Sequence, residues 1–276
     1  MRKYFTLTII TTVLLSCLPA AFASPESDRH AFRNYYFKLF PKVAEKDFAD
    51  GVYMWDNVAR ENWELIEEFP PYETNIDAGK RLWNAPFSNG KSYASCFKKP
   101  GVTNQFPRWD KEQQSVITLP LAINQCRESN GEKPLKYLKG DIADLLAYMA
   151  YESRGQLTKV EIPNDPGALS AYEKGKHFYY ARRGQLNFSC AHCHQVAAGK
   201  FLRTESLSPS LGQHTNWPVY RSKWNELGTL HRRFIGCNNQ VRAKPFEAQS
   251  EEYRNLEYFL TYMGNGLPLN GPSTRR

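Results

Sequence analysis

The sequence predicts a mainly α-helical protein built from two tandem copies of one domain. Three observations carry this: two stretches share landmarks at matched spacing, each copy closes on an amphipathic helix, and strand-like alternation is scarce. Cys126 follows Pro107 by 19 residues, and Cys237 follows Pro218 by the same 19. Pro134 and Pro245 each lie 8 residues beyond those cysteines. Phe106 and Trp217 place an aromatic before the first proline of each set, and Tyr148-Met149 and Tyr262-Met263 close the last helices. Upstream, Gly79-Lys80 precedes Cys96 by 17 residues where Gly175-Lys176 precedes Cys190 by 15. One such match carries little, but six in the same order predict a duplication.

Residues 1–23 read as a signal peptide. Arg2 and Lys3 form its basic start, Thr6 to Leu18 its apolar run, and Ala21 and Ala23 the small residues a signal peptidase requires. The run is too short to span a bilayer. The alternative is a lipoprotein anchor at Cys17, from Leu14-Leu15-Ser16-Cys17. Two domains follow, expected over 24–160 and 161–276, with the turn-rich Ile162-Pro163-Asn164-Asp165-Pro166-Gly167 as linker.

In the first copy, Ile142, Leu145, Leu146 and Met149 repeat at helical spacing, with Asp141 as N-cap and Gly155 closing. In the second, Tyr253, Leu256, Leu260 and Met263 do the same from Ser250 or Gln249, and Gly264, Gly266 and Pro268 stop the helix. Another helix, from about Ser170 to Arg183, leads to Cys190. Val116-Ile117-Thr118 is a short strand piece.

The full chain carries 36 basic and 28 acidic residues. Loss of Arg2 and Lys3 with the signal leaves a net charge of +6. The basic residues are dispersed and form no nucleic-acid motif, so export and charge together point to an acidic docking partner or a small anion. Without a further long apolar segment, no membrane span is expected.

Five cysteines remain after Cys17. Cys190-Ala191-His192-Cys193-His194 is a covalent haem attachment motif: two thiols add to the haem vinyl groups and His194 is placed against the iron. A zinc knuckle would need a second ligand pair at short spacing. His192, between the thiols, is expected to face solvent. The fold class sharpens to two tandem cytochrome c-like domains, because Cys96 aligns with Cys190 while Lys99 and Pro100 stand where Cys193 and His194 should be. Lysine forms no thioether and proline binds no iron, so the first domain is haemless. Cys96 and Cys126 are left over together, and a disulfide between them is expected to brace that domain. For the other face of the iron, Met263, His214, His231 and Cys237 are candidates. Cys237 is the unpaired thiol, flanked by Arg233 and Arg242, whose charge favours thiolate.

The stretch Arg233-Phe234-Ile235-Gly236-Cys237-Asn238-Asn239-Gln240-Val241-Arg242-Ala243 resembles the active-site segment of the SoxA family, catalytic cytochrome subunits of bacterial thiosulfate oxidation. Pro245-Phe246, Gln249-Ser250, Glu252-Tyr253, Leu256-Glu257-Tyr258 and Asn265-Gly266-Leu267-Pro268 extend the likeness over the mature chain. The resemblance implies a single-haem member. Cys190 and Cys193 would hold one haem c, and His194 and Cys237 would ligate iron. Cys237 would be the active-site residue, carried as a persulfide, with Arg233 binding substrate and Arg242 assisting. It also implies a periplasmic enzyme that couples thiosulfate to a cysteine of a SoxYZ-type carrier, paired with a SoxX-type small haem subunit and passing electrons to cytochrome c. The alternatives are a simple electron-transfer cytochrome, or a thiosulfate dehydrogenase forming tetrathionate.

Overall fold

The structure, a computed structural model, describes residues 24–275, so the signal-peptide reading and Cys17 lie outside the described residues. Ser24 caps α1 (Pro25–Leu39) by accepting from the Ser27 N–H, with Pro25 in the first turn where its missing N–H costs nothing. A 3-10 stretch (Glu45–Met54) breaks at Gly51, whose φ of 64° lies in the left-handed region. Asp56 caps α2 (Asn57–Glu68), which precedes α3 (Glu73–Asn84) and the single turn α4 (Ala94–Phe97). The antiparallel pair β1 (Arg108–Asp110) and β2 (Ser115–Ile117) leads to α5 (Leu119–Ser129) and α6 (Asp141–Tyr151). Gly140, at φ 71°, occupies the cap of α6; Asp141 is its first helical residue rather than its cap.

The second copy repeats this order. Asp165 caps α7 (Pro166–Tyr180) through the Gly167 and Ala168 N–H groups. The helix therefore begins inside the expected linker and stops three residues before Arg183. A small hairpin, β3 (Phe201–Leu202) with β4 (Glu205–Ser206), follows the cysteine motif. Next come β5 (Val219–Arg221), β6 (Glu226–Gly228), α8 (Leu230–Gln240) and α9 (Glu251–Met263), and β7 (Ser273–Arg275) adds parallel to β5. Ser250 is the α9 cap, as the sequence predicts. Among the described residues no helix is long and apolar enough to cross a membrane.

One packing contact defines the repeat. A Cβ on Gly79 of α3 would lie 2.0 Å from the Asp144 carbonyl oxygen of α6, and one on Gly175 of α7 would lie 2.0 Å from that of Asn255 on α9. In each copy the two helices touch backbone to backbone, a closeness only glycine permits. Asp144 and Asn255 are 111 residues apart, the same interval that separates Cys126 from Cys237. This register equates Met149 with Leu260, so the Tyr-Met pairs matched in the sequence are displaced by three residues. A shift of three stays on the same helical stripe, which is why the sequence pattern does not reveal it.

The two largest cores follow the copies, while two smaller clusters join them, Tyr72, Ala143 and Ala147 with Leu227, and Val116 with Ala171 and Tyr258. Trp83, Tyr93, Leu119, Ile123, Ile142, Leu145 and Met149 pack in the first. Tyr172, Tyr179, Leu211, Tyr253, Phe259 and Met263 pack in the second, joined there by Phe32, Tyr36 and Phe48 from the N-terminal segment. The segment 25–54 thus adds its apolar face to the second core although it precedes the first in sequence.

The Cys96–Cys126 disulfide forms as expected, with Cα atoms 6.0 Å apart. It closes a loop of 30 residues, for which chain-entropy reasoning gives about 3–4 kcal/mol of stabilisation. Cys96→Ser is expected to lower the stability of the first copy by that order, read as an earlier urea transition of Trp83 fluorescence with haem absorbance retained at the same urea concentration.

Candidate functional site

The site lies where α7 hands the chain to α8. After α7, Gly184 turns at φ 69°, and a Cβ there would sit 2.1 Å from the Val241 carbonyl. Gln185 and Leu186 donate their N–H groups to Arg242 and Val241 carbonyls beyond α8, at 3.4 and 3.2 Å. The loop before Cys190 is therefore stitched to the end of the helix that carries Cys237. At the other end of α8, Thr229 donates its N–H to Leu138 and its hydroxyl to Tyr137, both in the first copy.

Cys190, Cys193 and His194 lie on one short helical turn, and all three free cysteines are half-buried. The His194 carbonyl accepts from the Tyr36 hydroxyl at 2.7 Å and the Ser210 N–H at 3.0 Å, which fixes the turn. Its Nδ1 stands 2.9 Å from the Ser208 carbonyl oxygen. Nδ1 is thus engaged by the protein, which leaves Nε2 as the nitrogen available to Cys237 and, with a haem bound, to the iron. Gln213 adds its amide 2.8 Å from the same Nδ1, and neither Ser208 nor Gln213 is marked by any sequence motif.

Cys237 meets His194 across this space. Burial pushes its thiol pKa up, but the Arg233 guanidinium, a hydrogen bond with His194 and the charge of Arg221 outweigh that and bring it down to about 7. Arg233 lies one helical turn before Cys237 on α8, so both occupy one face. Cys190 shows the opposite balance: burial, with nearby Cys237 adding repulsion, lifts it to about 12. Arg183 offsets part of this while its guanidinium covers the Phe178 ring at 3.7 Å.

The residues fit a haem c. Two thiols sit on the His194 turn, an imidazole nitrogen is left free, and a sulfur of thiolate character faces it. The cluster brings together Cys190, Cys193, His194, Cys237 and Arg233. Arg242 lies apart: it is exposed just past α8 and reaches Gln185 Oε1 at 3.5 Å. Arg221, which the sequence does not single out, stands in the charged set instead. It comes from a strand 16 residues upstream of Cys237, a separation no local motif bridges.

The other candidate iron ligands point elsewhere. His214 bonds Thr158 Oγ1 at 2.9 Å, and burial lowers its pKa to about 3. His231 is 3.0 Å from Glu257 and accepts the Gln249 N–H. Both line a cavity between the copies. Met263 is 1% exposed in the second core. His192 is half-buried rather than solvent-facing, its Nδ1 held 2.7 Å from the Ser189 hydroxyl.

A helical scaffold with such a His–sulfur slot is that of a cytochrome c-like redox protein. A sequence model described as the SoxA/TsdA cytochrome c domain matches residues 78–157, inside the copy that lacks the attachment motif. The L-cysteine S-thiosulfotransferase subunit SoxA of Allochromatium vinosum is 63% identical, over 94% of this chain and 92% of its own length. That of Chlorobaculum tepidum is 50% identical over 100% and 98%. The crystal structure of SoxXA from P. pantotrophus superposes with a TM-score of 0.68 at 35% identity, covering 75% of this chain and 79% of that one. The chain belongs to the SoxA family.

Because Met263, His214 and His231 are engaged elsewhere, Met263→Leu, His214→Gln and His231→Gln are expected to leave the haem absorption spectrum unchanged. Cys237→Ala should alter it by removing the sulfur opposite His194. Optical spectra of the purified variants check this.

Proposed function

We propose that this chain is the haem-bearing subunit that oxidatively couples thiosulfate to a cysteine of a SoxYZ-type carrier. It works in the periplasm as a heterodimer with a SoxX-type small haem subunit and passes electrons on to cytochrome c. The observation that carries this is the meeting of a thiolate-prone Cys237 with His194 and Arg233. The names of the relatives and of the SoxXA structure give the reaction class and the pairing. One haem c is held through Cys190 and Cys193 and ligated by His194 and Cys237. The copies divide at 160/161, with segment 25–54 wrapped onto the second.

In the reaction, a bond forms between the carrier's cysteine sulfur and the outer sulfur of thiosulfate. The carrier thiol loses its proton, and two electrons leave. The bound haem supplies a one-electron acceptor beside the sulfur. Arg233 presents a forked donor to the sulfonate oxygens. Cys237, as a persulfide, would first join the outer sulfur of thiosulfate in an S–S bond as the two electrons leave, and the carrier's thiolate would then take the thiosulfate group by displacing the persulfide. The positive charge of Arg233 favours the anionic form of Cys237, and the loop stitched to α8 ties its helix to the His194 turn.

Cys237→Ser is expected to keep covalent haem but lose thiosulfate coupling by more than roughly 100-fold, as for other groups acting at the reacting atoms. A variant that still couples would reduce Cys237 to a ligand and leave a simple electron-transfer cytochrome. Tetrathionate formed without the carrier would instead favour a thiosulfate dehydrogenase. Arg233→Ala is expected to raise the KM for thiosulfate roughly 10- to 100-fold, while the exposed Arg242→Ala changes it by less than about twofold. Steady-state kinetics with varied thiosulfate separates the two. Intact mass of the mature protein should show one haem, two hydrogens lost to the disulfide, and an extra sulfur on Cys237.

A further inference from the structure

Arg221 ends β5, where its Cα pairs with that of Glu226 on β6. That carboxylate is already taken, by Arg232 at 2.9 Å and Lys139 at 3.1 Å. Arg221 forms no ion pair within 4.0 Å among the described residues, although Glu205 attracts it through space, and its Nε is buried without a hydrogen-bond partner. Its guanidinium rests near the Trp224 ring, 5.4 Å from the centroid. Burial and the neighbouring Arg233 lower its pKa to about 10, and its charge reaches the Cys237 thiol. Two guanidiniums that repel each other while both act on one sulfur through their charge, one with an unsatisfied buried donor, make a place suited to an anion.

The first copy supplies an internal control. At the interval of 111 residues, Arg221 corresponds to Asp110 and Arg233 to Ala122, while Cys237 corresponds to Cys126. There the cysteine is tied up in a disulfide, and Asp110 merely caps a turn by accepting from the Glu112 and Gln113 N–H groups. The paired arginines occur only in the copy whose cysteine is free.

We propose that Arg221 is a second substrate-binding residue, which together with Arg233 grips the sulfonate oxygens of thiosulfate and turns its outer sulfur toward Cys237. This rests on the proposed thiosulfate-coupling function. Two forks on one tetrahedral sulfonate fix orientation as well as charge, which a single arginine does not.

The test measures coupling by the haem-loaded heterodimer with its carrier for wild type, Arg221→Ala, Arg221→Lys and Arg221→Gln, with haem spectrum and reduction potential recorded for each. Arg221→Ala and Arg221→Gln should raise the KM for thiosulfate roughly 10- to 100-fold, the range for losing a hydrogen bond between charged groups. Arg221→Lys should recover part of it, with spectrum and potential unchanged. Sulfite, which presents the same oxygens, should weaken in parallel as a competitive inhibitor. An unchanged KM overturns the proposal. So does a shifted potential with an unchanged KM, which would mean that Arg221 pairs with a haem propionate. Wild type inactive toward thiosulfate would instead overturn the function on which the proposal rests.

Discussion

The backbone contact between Gly175 on α7 and the Asn255 carbonyl on α9 sets the frame for the second copy. Any side chain larger than hydrogen at Gly175 would drive the helices apart, and with them the start of the loop that leads to Cys190. Gly184 makes a second close approach, to the Val241 carbonyl, and ties that loop to the end of α8. The space between His194 and Cys237 is thus fixed by two carbonyl–glycine contacts rather than by flexible side chains. Backbone contacts of this kind tolerate little displacement, which suits a site that holds a sulfur at close reach of an imidazole.

Around that space, burial and charge oppose each other with different outcomes at neighbouring sulfurs. Cys190 lies where desolvation wins, whereas Cys237 lies where Arg233, His194 and Arg221 win. The contrast follows from charge: Cys237 shares a helix face with Arg233 and feels His194 and Arg221 as well, while Cys190 has chiefly Arg183 to set against its burial. One thiol is suited to remain protonated, the other to act as thiolate.

The first copy shows the same helix crossing without this arrangement. Its disulfide joins Cys126, the counterpart of Cys237, to Cys96, the counterpart of Cys190 in the sequence alignment. Trp83 stacks with Tyr93 at 6.0 Å and tilts against Phe97 and Tyr148, so aromatic rings fill the core. The Gly79–Asp144 crossing survives unchanged. The scaffold therefore outlasts its chemistry, because helix packing depends on the crossing and the chemistry depends on residues that the crossing merely positions.

The duplication, the mainly helical class, the cysteine motif and the Cys96–Cys126 pairing were legible in the sequence because each is carried by local spacing or by counting thiols. The α6 cap and the start of α7 were misplaced by a few residues, since Asp141 and the Pro-rich linker satisfy helix-start rules at more than one position. Three-residue slippage between α6 and α9 was invisible to a pattern with a period near 3.6. Only the folded chain decided that Arg221 rather than Arg242 joins Arg233 beside Cys237. It also decided that Ser208 and Gln213 engage His194 Nδ1 and that residues 25–54 complete the second core. Such choices depend on which distant segments share one small volume, and a charge acts through distance in space rather than along the chain. Sequence by itself determined which groups were available for the chemistry; tertiary structure decided which of them meet.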